Sequence, residues 1–269
     1  MLNSEVVTPR GGEPERWVYV LHGIFGAGRN WGTVARALVE RRPDLGAVLV
    51  DLREHGGSRG FAPPHTIEAA AADLRELESA SDRPVAVMLG HSFGGKVALG
   101  YVRDPGPALE RVWIVDSTPS PRDEPAGSAW EMLRIIRALP DRFESRDTLI
   151  EALVERGVER PVAQWMATNL ERGDDGSAMV WRFDLDAIEA LLRDFFRADL
   201  WDVVEAPPPG VALHFVKATR SSVLDARAVE RIERAGVTRG SVVLHPIEGG
   251  HWLNVDNPDA LVGLLEEAI

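Results

Sequence analysis

Cysteine is absent from the 269 residues, which excludes disulfides, thiolate nucleophiles, zinc knuckles and cysteine-held iron–sulfur clusters, although it leaves the redox compartment open. Basic charge is scarce as well. Thirty Lys and Arg stand against 42 Asp and Glu, for a net charge of −12, so there is no electrostatic footprint for a phosphate backbone and nucleic acid is not an expected partner. Only Lys96 and Lys217 are lysines, a bias attributed to coding composition. Nowhere do eighteen apolar residues run together, and the N-terminal MLNSEVVTPRGGEPER has no apolar stretch behind a basic start; no membrane span and a cytoplasmic location are expected. Neither an HExxH nor a comparable ligand spacing occurs, so no metal or other cofactor is implied.

What is present suits a folded α/β protein. The chain is 45% hydrophobic and 27% charged, enough to bury a core, and its length suits one domain carrying an insertion. Short apolar runs at Trp17–His22, Ala47–Leu52, Val85–Leu89 and Val112–Val115 alternate with helical patterns, as in a parallel sheet buried on both faces. Asn30–Arg42, Thr66–Ala80 and Phe93–Arg103 read as crossover helices, with Asn30 and Thr66 as N-caps. After Asp116 the Ser- and Pro-rich stretch Ser117–Pro125 leads into helical patterns around Trp130–Leu139, Thr148–Glu155, Pro161–Leu170 and Leu185–Arg197. Strand pattern resumes at Val211–Val216 and Val242–Ile247, separated by a helix over Leu224–Ala235 and followed by one over Pro258–Ala268. The expected organisation is a core of residues 1–119 and 207–269, with residues 120–206 inserted as a helical lid.

Chemistry is expected at the carboxyl ends of the strands. Gly90-His91-Ser92-Phe93-Gly94 joins a strand to a helix, the context that makes GxSxG a nucleophile elbow, although the same pattern also arises as a plain Gly-rich turn. Ser92 is the candidate nucleophile. Two amides are needed for an oxyanion hole: Phe93 supplies one, and in His22-Gly23-Ile24-Phe25-Gly26 the other falls to Ile24, with Phe25 as the lesser candidate. His251, in Gly249-Gly250-His251-Trp252 after the last strand, is the candidate base. The other histidines, His22, His55, His65, His91, His214 and His245, are read as structural. Asp51 is read as a loop brace.

On these residues the chain resembles the α/β-hydrolases, and among them the small bacterial and mitochondrial esterases with an HGLFG-type loop. The resemblance rests on HGIFG at 22–26 with Asn30-Trp31, on DLREHGGS at 51–58, on GHSFGGK at 90–96, on VDSTP at 115–119, on WRFDL at 181–185 and on GHW at 250–252. It implies an α/β-hydrolase fold, a mostly parallel central sheet flanked by helices. The implied activity is that of a serine carboxylesterase on short- to medium-chain acyl esters or thioesters. It also bears on the acid. The more common place, the loop after Val211–Lys217, holds Ser221 where a carboxylate is expected; Asp116, which follows the strand after the nucleophile helix, fits the alternative place that the esterases use. Asp225 is the rival, equally explained as a helix cap. With Asp116 as the acid, Ser221 is expected to support His251 by hydrogen bonding. Two further readings stand beside the esterase: a lyase of the menaquinone-synthase type, which would need arginines for a carboxylate-rich substrate, and an inert hydrolase-fold binding protein. In the inserted segment Trp130, Met132, Trp165, Met166, Trp181 and Phe195 are candidates for an acyl pocket or for plain core.

Overall fold

A computed structural model of the chain describes residues 1–122, 127–173 and 176–269. Residues 123–125 of the Ser- and Pro-rich stretch lie outside the described residues. The first half runs β1 (Ser4–Val7), β2 (Arg16–Leu21), a 3-10 turn (Gly28–Trp31), α1 (Gly32–Arg41), β3 (Leu45–Val50), α2 (Ile67–Ser79), β4 (Val85–His91), α3 (Phe93–Val102) and β5 (Arg111–Val115). Every residue of β3 and β4 is buried, which is why both read as unbroken apolar runs rather than alternating ones. Thr66 caps α2 as expected, its Oγ1 accepting from the Ala69 amide at 3.1 Å. Asn30 does not cap α1. Its side chain accepts from the Ala27 amide at 2.8 Å inside the preceding 3-10 turn, which displaces the helix start to Gly32.

The segment after β5 contains α4 (Ser128–Arg137), β6 (Arg142–Phe143), α5 (Arg146–Val154), α6 (Arg160–Ala167), β7 (Leu170–Arg172), β8 (Met179–Trp181), α7 (Leu185–Arg197) and α8 (Trp201–Glu205). Strands β6, β8 and β7 form a small antiparallel sheet; at two or three residues each, they are too short to leave an alternating pattern in the sequence. The chain then returns through β9 (Ala212–Ala218), α9 (Ala226–Arg239), β10 (Val242–Ile247), α10 (Leu253–Asp256) and α11 (Pro258–Ala268).

The main sheet has the order β1-β3-β2-β4-β5-β9-β10 and is parallel except for β1, which pairs antiparallel with β3. It is the α/β-hydrolase fold. One face is covered by α1 and α11, and the other by α2, α3, α9 and much of the inserted segment. The chain reverses its direction of travel across the sheet between β2 and β4, whose ends meet with Leu21 opposite Gly90. Such a reversal opens a crevice at the carboxyl ends, and it brings the 22–26 loop beside Ser92. Among the described residues, no helix is long and apolar enough to cross a membrane.

Candidate active site

Ser92 occupies the turn from β4 into α3 at φ 51°, ψ −115°, a sparsely populated region that costs about 1–3 kcal/mol. Packing leaves room for that turn only because two neighbours lack side chains. A Cβ on Gly90 would lie 2.2 Å from the Gly94 carbonyl oxygen, and one on Gly94 would lie 2.6 Å from that of His22. The backbone is held on both sides: the Ser92 amide donates to Val115 O at 3.0 Å, and its carbonyl accepts from Ser117 Oγ at 2.6 Å. Among the described residues, the non-glycine positions with positive φ are Phe25, Glu54, Ser92 and Asp116. Each lies just beyond one of the four adjacent strands β2 to β5, so backbone strain gathers at one end of the sheet.

Asp116 lies at the end of β5, wholly buried. Its Oδ2 is 2.7 Å from His251 Nδ1 and its Oδ1 accepts from the Ala218 amide at 3.3 Å. With Nδ1 committed to the carboxylate, the imidazole presents Nε2 elsewhere, and His251 lines the same cavity as Ser92. The loop bearing it is fixed by Arg220 N–H to Gly249 O at 2.9 Å and by Gly250 N–H to Asp256 Oδ2 at 2.8 Å. His91, buried under that loop, donates from Nε2 to His251 O at 2.7 Å. Burial foremost, and the neighbouring His251, push the His91 pKa down to about 3.

Of the two candidate acids, Asp116 meets His251 and Asp225 does not: Asp225 caps α9, accepting from the Ala228 amide at 2.8 Å. Ser221 does not support the histidine. Its hydroxyl accepts from the Val223 amide at 3.2 Å, and Lys217 Nζ holds the same turn through Ser221 O and Leu224 O. The brace on the His251 loop comes instead from His91, which the sequence offers only as the variable residue before the elbow serine.

The 22–26 loop is organised by two neutral histidines. His22 Nε2 accepts from the Leu52 amide at 3.0 Å, so Nδ1 carries the proton and donates to Gly23 O at 2.7 Å. Gly26 N–H also donates to Gly23 O, at 3.0 Å. A trans peptide points its C=O and N–H in opposite directions, so anchoring the Gly23 carbonyl turns the Ile24 amide the other way, and Ile24 lines the cavity. The Phe25 amide is committed to His55 Nε2 at 3.1 Å, while His55 Nδ1 donates to Arg53 O at 2.8 Å. Phe93 is the first residue of α3, and its amide therefore has no intrahelical acceptor. Asp51 braces this end of the sheet as expected, accepting from Gly28, Gly57 and Asn3.

Burial lowers the pKa of His22 and drives that of His55 to about 3. A histidine held below its unfolded value binds fewer protons folded than unfolded, so its contribution to stability falls as pH drops below about 6.5. Moving from pH 7 to pH 5.5 should cost about 1 kcal/mol for each of His55 and His91, in a window above the ordinary carboxylate range. Urea midpoints at the two pH values check this; equal midpoints would contradict it.

The cavity over Ser92 has a volume of about 310 Å³. Trp31, Trp252 and Val255 line it from the core elements, and Met132, Val162 and Trp165 from the inserted helices. Trp165 and Trp252 approach at 6.0 Å between ring centroids. Of the six expected pocket residues, Met132 and Trp165 reach it. Trp181 stacks on Phe183, Trp130 meets the edge of Phe196, Met166 is core, and Phe195 lies against Lys96. No Asp, Glu, Lys or Arg lines the cavity among the described residues.

Lys96 turns out to have structural work. Its buried ammonium donates to Ser120 O, Phe195 O and Ala198 O at 2.7–2.9 Å, tying α3 to both ends of the inserted segment, although desolvation lowers its pKa to about 7. His214 and His245 share a 3.0 Å nitrogen–nitrogen hydrogen bond and stack beside Trp113, outside the cavity lining. No group of three or more His, Asp or Glu is placed to hold a metal ion among the described residues.

A sequence model of the alpha/beta hydrolase family matches residues 18–264. The chain belongs to that family. Among curated relatives it is 28% identical to an sn-1-specific diacylglycerol lipase of Xenopus laevis, over 88% of this chain and 74% of that protein. It is 24% identical to the Escherichia coli esterase YbfF, over 97% and 96% respectively. Among solved structures, a marine microorganism esterase superposes with a TM-score of 0.85 at 22% identity, covering 100% of this chain and 99% of that one. The elbow and the 22–26 loop follow the adjacent strands β4 and β2, whereas the His251 loop follows the edge strand β10, with β5 and β9 between.

Proposed function

We propose that the protein is a serine carboxylesterase for uncharged short- to medium-chain acyl esters, or the corresponding thioesters, working through a covalent acyl-enzyme. The observation that carries this is His251, paired with the buried Asp116 at 2.7 Å and lining the same cavity as Ser92. Relatives named as an esterase and as a diacylglycerol lipase support ester bonds as the target. In the proposed reaction Ser92 Oγ attacks the ester carbonyl while His251 Nε2 takes its proton, and the Ile24 and Phe93 amides receive the oxyanion. Collapse of the tetrahedral intermediate breaks the bond to the alkoxy or thiolate leaving group, which takes the proton back from His251. Water, deprotonated by the same imidazole, then attacks the acyl-enzyme, and as the bond to Ser92 Oγ breaks the imidazolium returns the proton to that oxygen and the acid is released. Asp116 holds the tautomer and stabilises the imidazolium. Residues 120–206 act as a lid whose Met132, Val162 and Trp165 face the acyl chain.

The lyase reading requires cationic side chains for a carboxylate-rich substrate, and the cavity lining offers none among the described residues. Charge therefore gives a direct test. An unpaired carboxylate in an apolar cavity costs several kcal/mol, so p-nitrophenyl butyrate should exceed p-nitrophenyl hemisuccinate by about 100-fold or more in kcat/KM. Comparable rates would overturn the neutral-substrate assignment. A folded protein inert toward all p-nitrophenyl esters and unlabelled by a fluorophosphonate would overturn the esterase itself and favour a binding role.

A further inference from the structure

Three successive peptides of the 22–26 loop are pinned, and not all by the same part of the chain. His22, at the end of β2, anchors the Gly23 carbonyl, and His55, in the loop after β3, accepts from the Phe25 amide. The third anchor comes from far along the sequence: Asn169 Nδ2 donates to Phe25 O at 2.8 Å. Asn169 lies in the turn between α6 and β7, 4% exposed. Its own backbone is fixed on both sides, the amide donating to Met166 O at 3.0 Å and the carbonyl accepting from Arg182 N–H at 2.9 Å. Beside it, Arg29 Nη2 donates to Thr168 O at 3.1 Å, and the Phe183 ring lies 5.8 Å from that of Phe25. The inserted segment thus grips the loop at two points on Phe25 and the 3-10 turn that follows it at a third.

Phe25 needs an outside restraint. It sits at φ 61°, where an aromatic residue persists only if its surroundings impose the conformation. The Ile24 amide belongs to the peptide two before the one Asn169 holds, so relaxation at Phe25 moves that donor. We infer that Asn169 is a positioning residue which makes the oxyanion loop depend on the seating of the inserted segment. A substrate is then met by a complete oxyanion hole only when that segment is docked over it. This rests on the esterase reading for its catalytic half, while the structural half, that Asn169 holds the loop, does not.

Asn169→Ala and the near-isosteric Asn169→Leu, which cannot donate, test both halves. Removing an oxyanion donor outright costs about 10²–10³ in kcat; a residue acting through one should cost less, about 10–100-fold. The expected result for both variants is that fall in kcat on p-nitrophenyl butyrate, with KM within about threefold of wild type. Inhibition by a trifluoromethyl ketone, which presents an oxyanion to the same amides, should weaken by the same factor as kcat. Amide exchange over residues 23–27 should quicken, with melting cooperative as in the wild type. Unchanged exchange over the loop overturns the anchoring, and faster exchange with kcat retained, or with the loss confined to KM, overturns the coupling to catalysis. A wild type without esterase activity would overturn the proposed function instead, and exchange would still decide whether Asn169 holds the loop.

Discussion

Ser92→Ala should lower kcat for ester hydrolysis by about 10⁶, to the residue of catalysis that an oxyanion hole and a binding cavity supply alone. The variant keeps what makes the elbow. The Ser92 amide still reaches Val115 O and the carbonyl still accepts from Ser117 Oγ, while Gly90 and Gly94 still leave the space that the turn needs. Alanine at φ 51° carries the same backbone strain as serine, so the melting temperature should stay within a few degrees of wild type. What disappears is the oxygen that the proposed reaction acylates. Labelling by a fluorophosphonate should vanish with the activity, and p-nitrophenol release from acetate, butyrate and octanoate esters should fall together. Activity equal in the two folded proteins would sink Ser92 as nucleophile, since no other serine has both a strained strand-to-helix turn and an imidazole with its Nδ1 committed facing the same cavity among the described residues.

The parts of this molecule legible in its sequence are those encoded within a few residues of one another. An unbroken apolar run ending in glycine and serine announces β4 and its elbow, because burial on both faces and the steric demand of the turn are local facts. His251 is legible for the same reason, as a histidine in a Gly-Gly loop after the last strand. Strand β1 is not: four residues pairing antiparallel at an edge, with two of them exposed, leave no period to read. Nor is the role of Asn169, which acts across 144 residues of chain, or that of His55, whose value to Phe25 appears only once β2 and β3 lie side by side with Leu21 opposite Val50. Ser221 shows the converse error. A serine at the position where an acid is often found suggests a substitute partner for the histidine, but its nearest donor is the amide two residues on, and a local turn satisfies it first. The charge-free lining of the cavity is likewise a property of assembly, because it draws on α4, α6 and the His251 loop together.

The choice between Asp116 and Asp225 is where sequence stops, because both follow a strand and both precede His251. Sheet register separates them. Val115 lies between His91 on one side and Val216 on the other, so the residue after it emerges behind the elbow and beside the strand that leads to the His251 side. Asp225 begins α9, and its carboxylate is spent on the Ala228 amide. Asp116→Asn should therefore reduce kcat by about 10⁴ with little change in KM, the magnitude known for the equivalent change in a serine protease triad. The amide can still accept from the Ala218 N–H with its oxygen, which leaves its NH₂ facing His251 Nδ1. A donor there forces Nδ1 to be the acceptor and moves the imidazole proton to Nε2, so the nitrogen proposed to take the Ser92 proton already carries one and cannot serve as base. Nothing in that change opens a void or strands a donor, and the folded state should survive it. Asp225→Asn retains a side-chain oxygen able to cap α9, and its kcat should stay within about twofold of wild type. The reverse pattern, a collapse of kcat in Asp225→Asn with Asp116→Asn near wild type, would show that the 2.7 Å contact at Asp116 orients nothing that turns over.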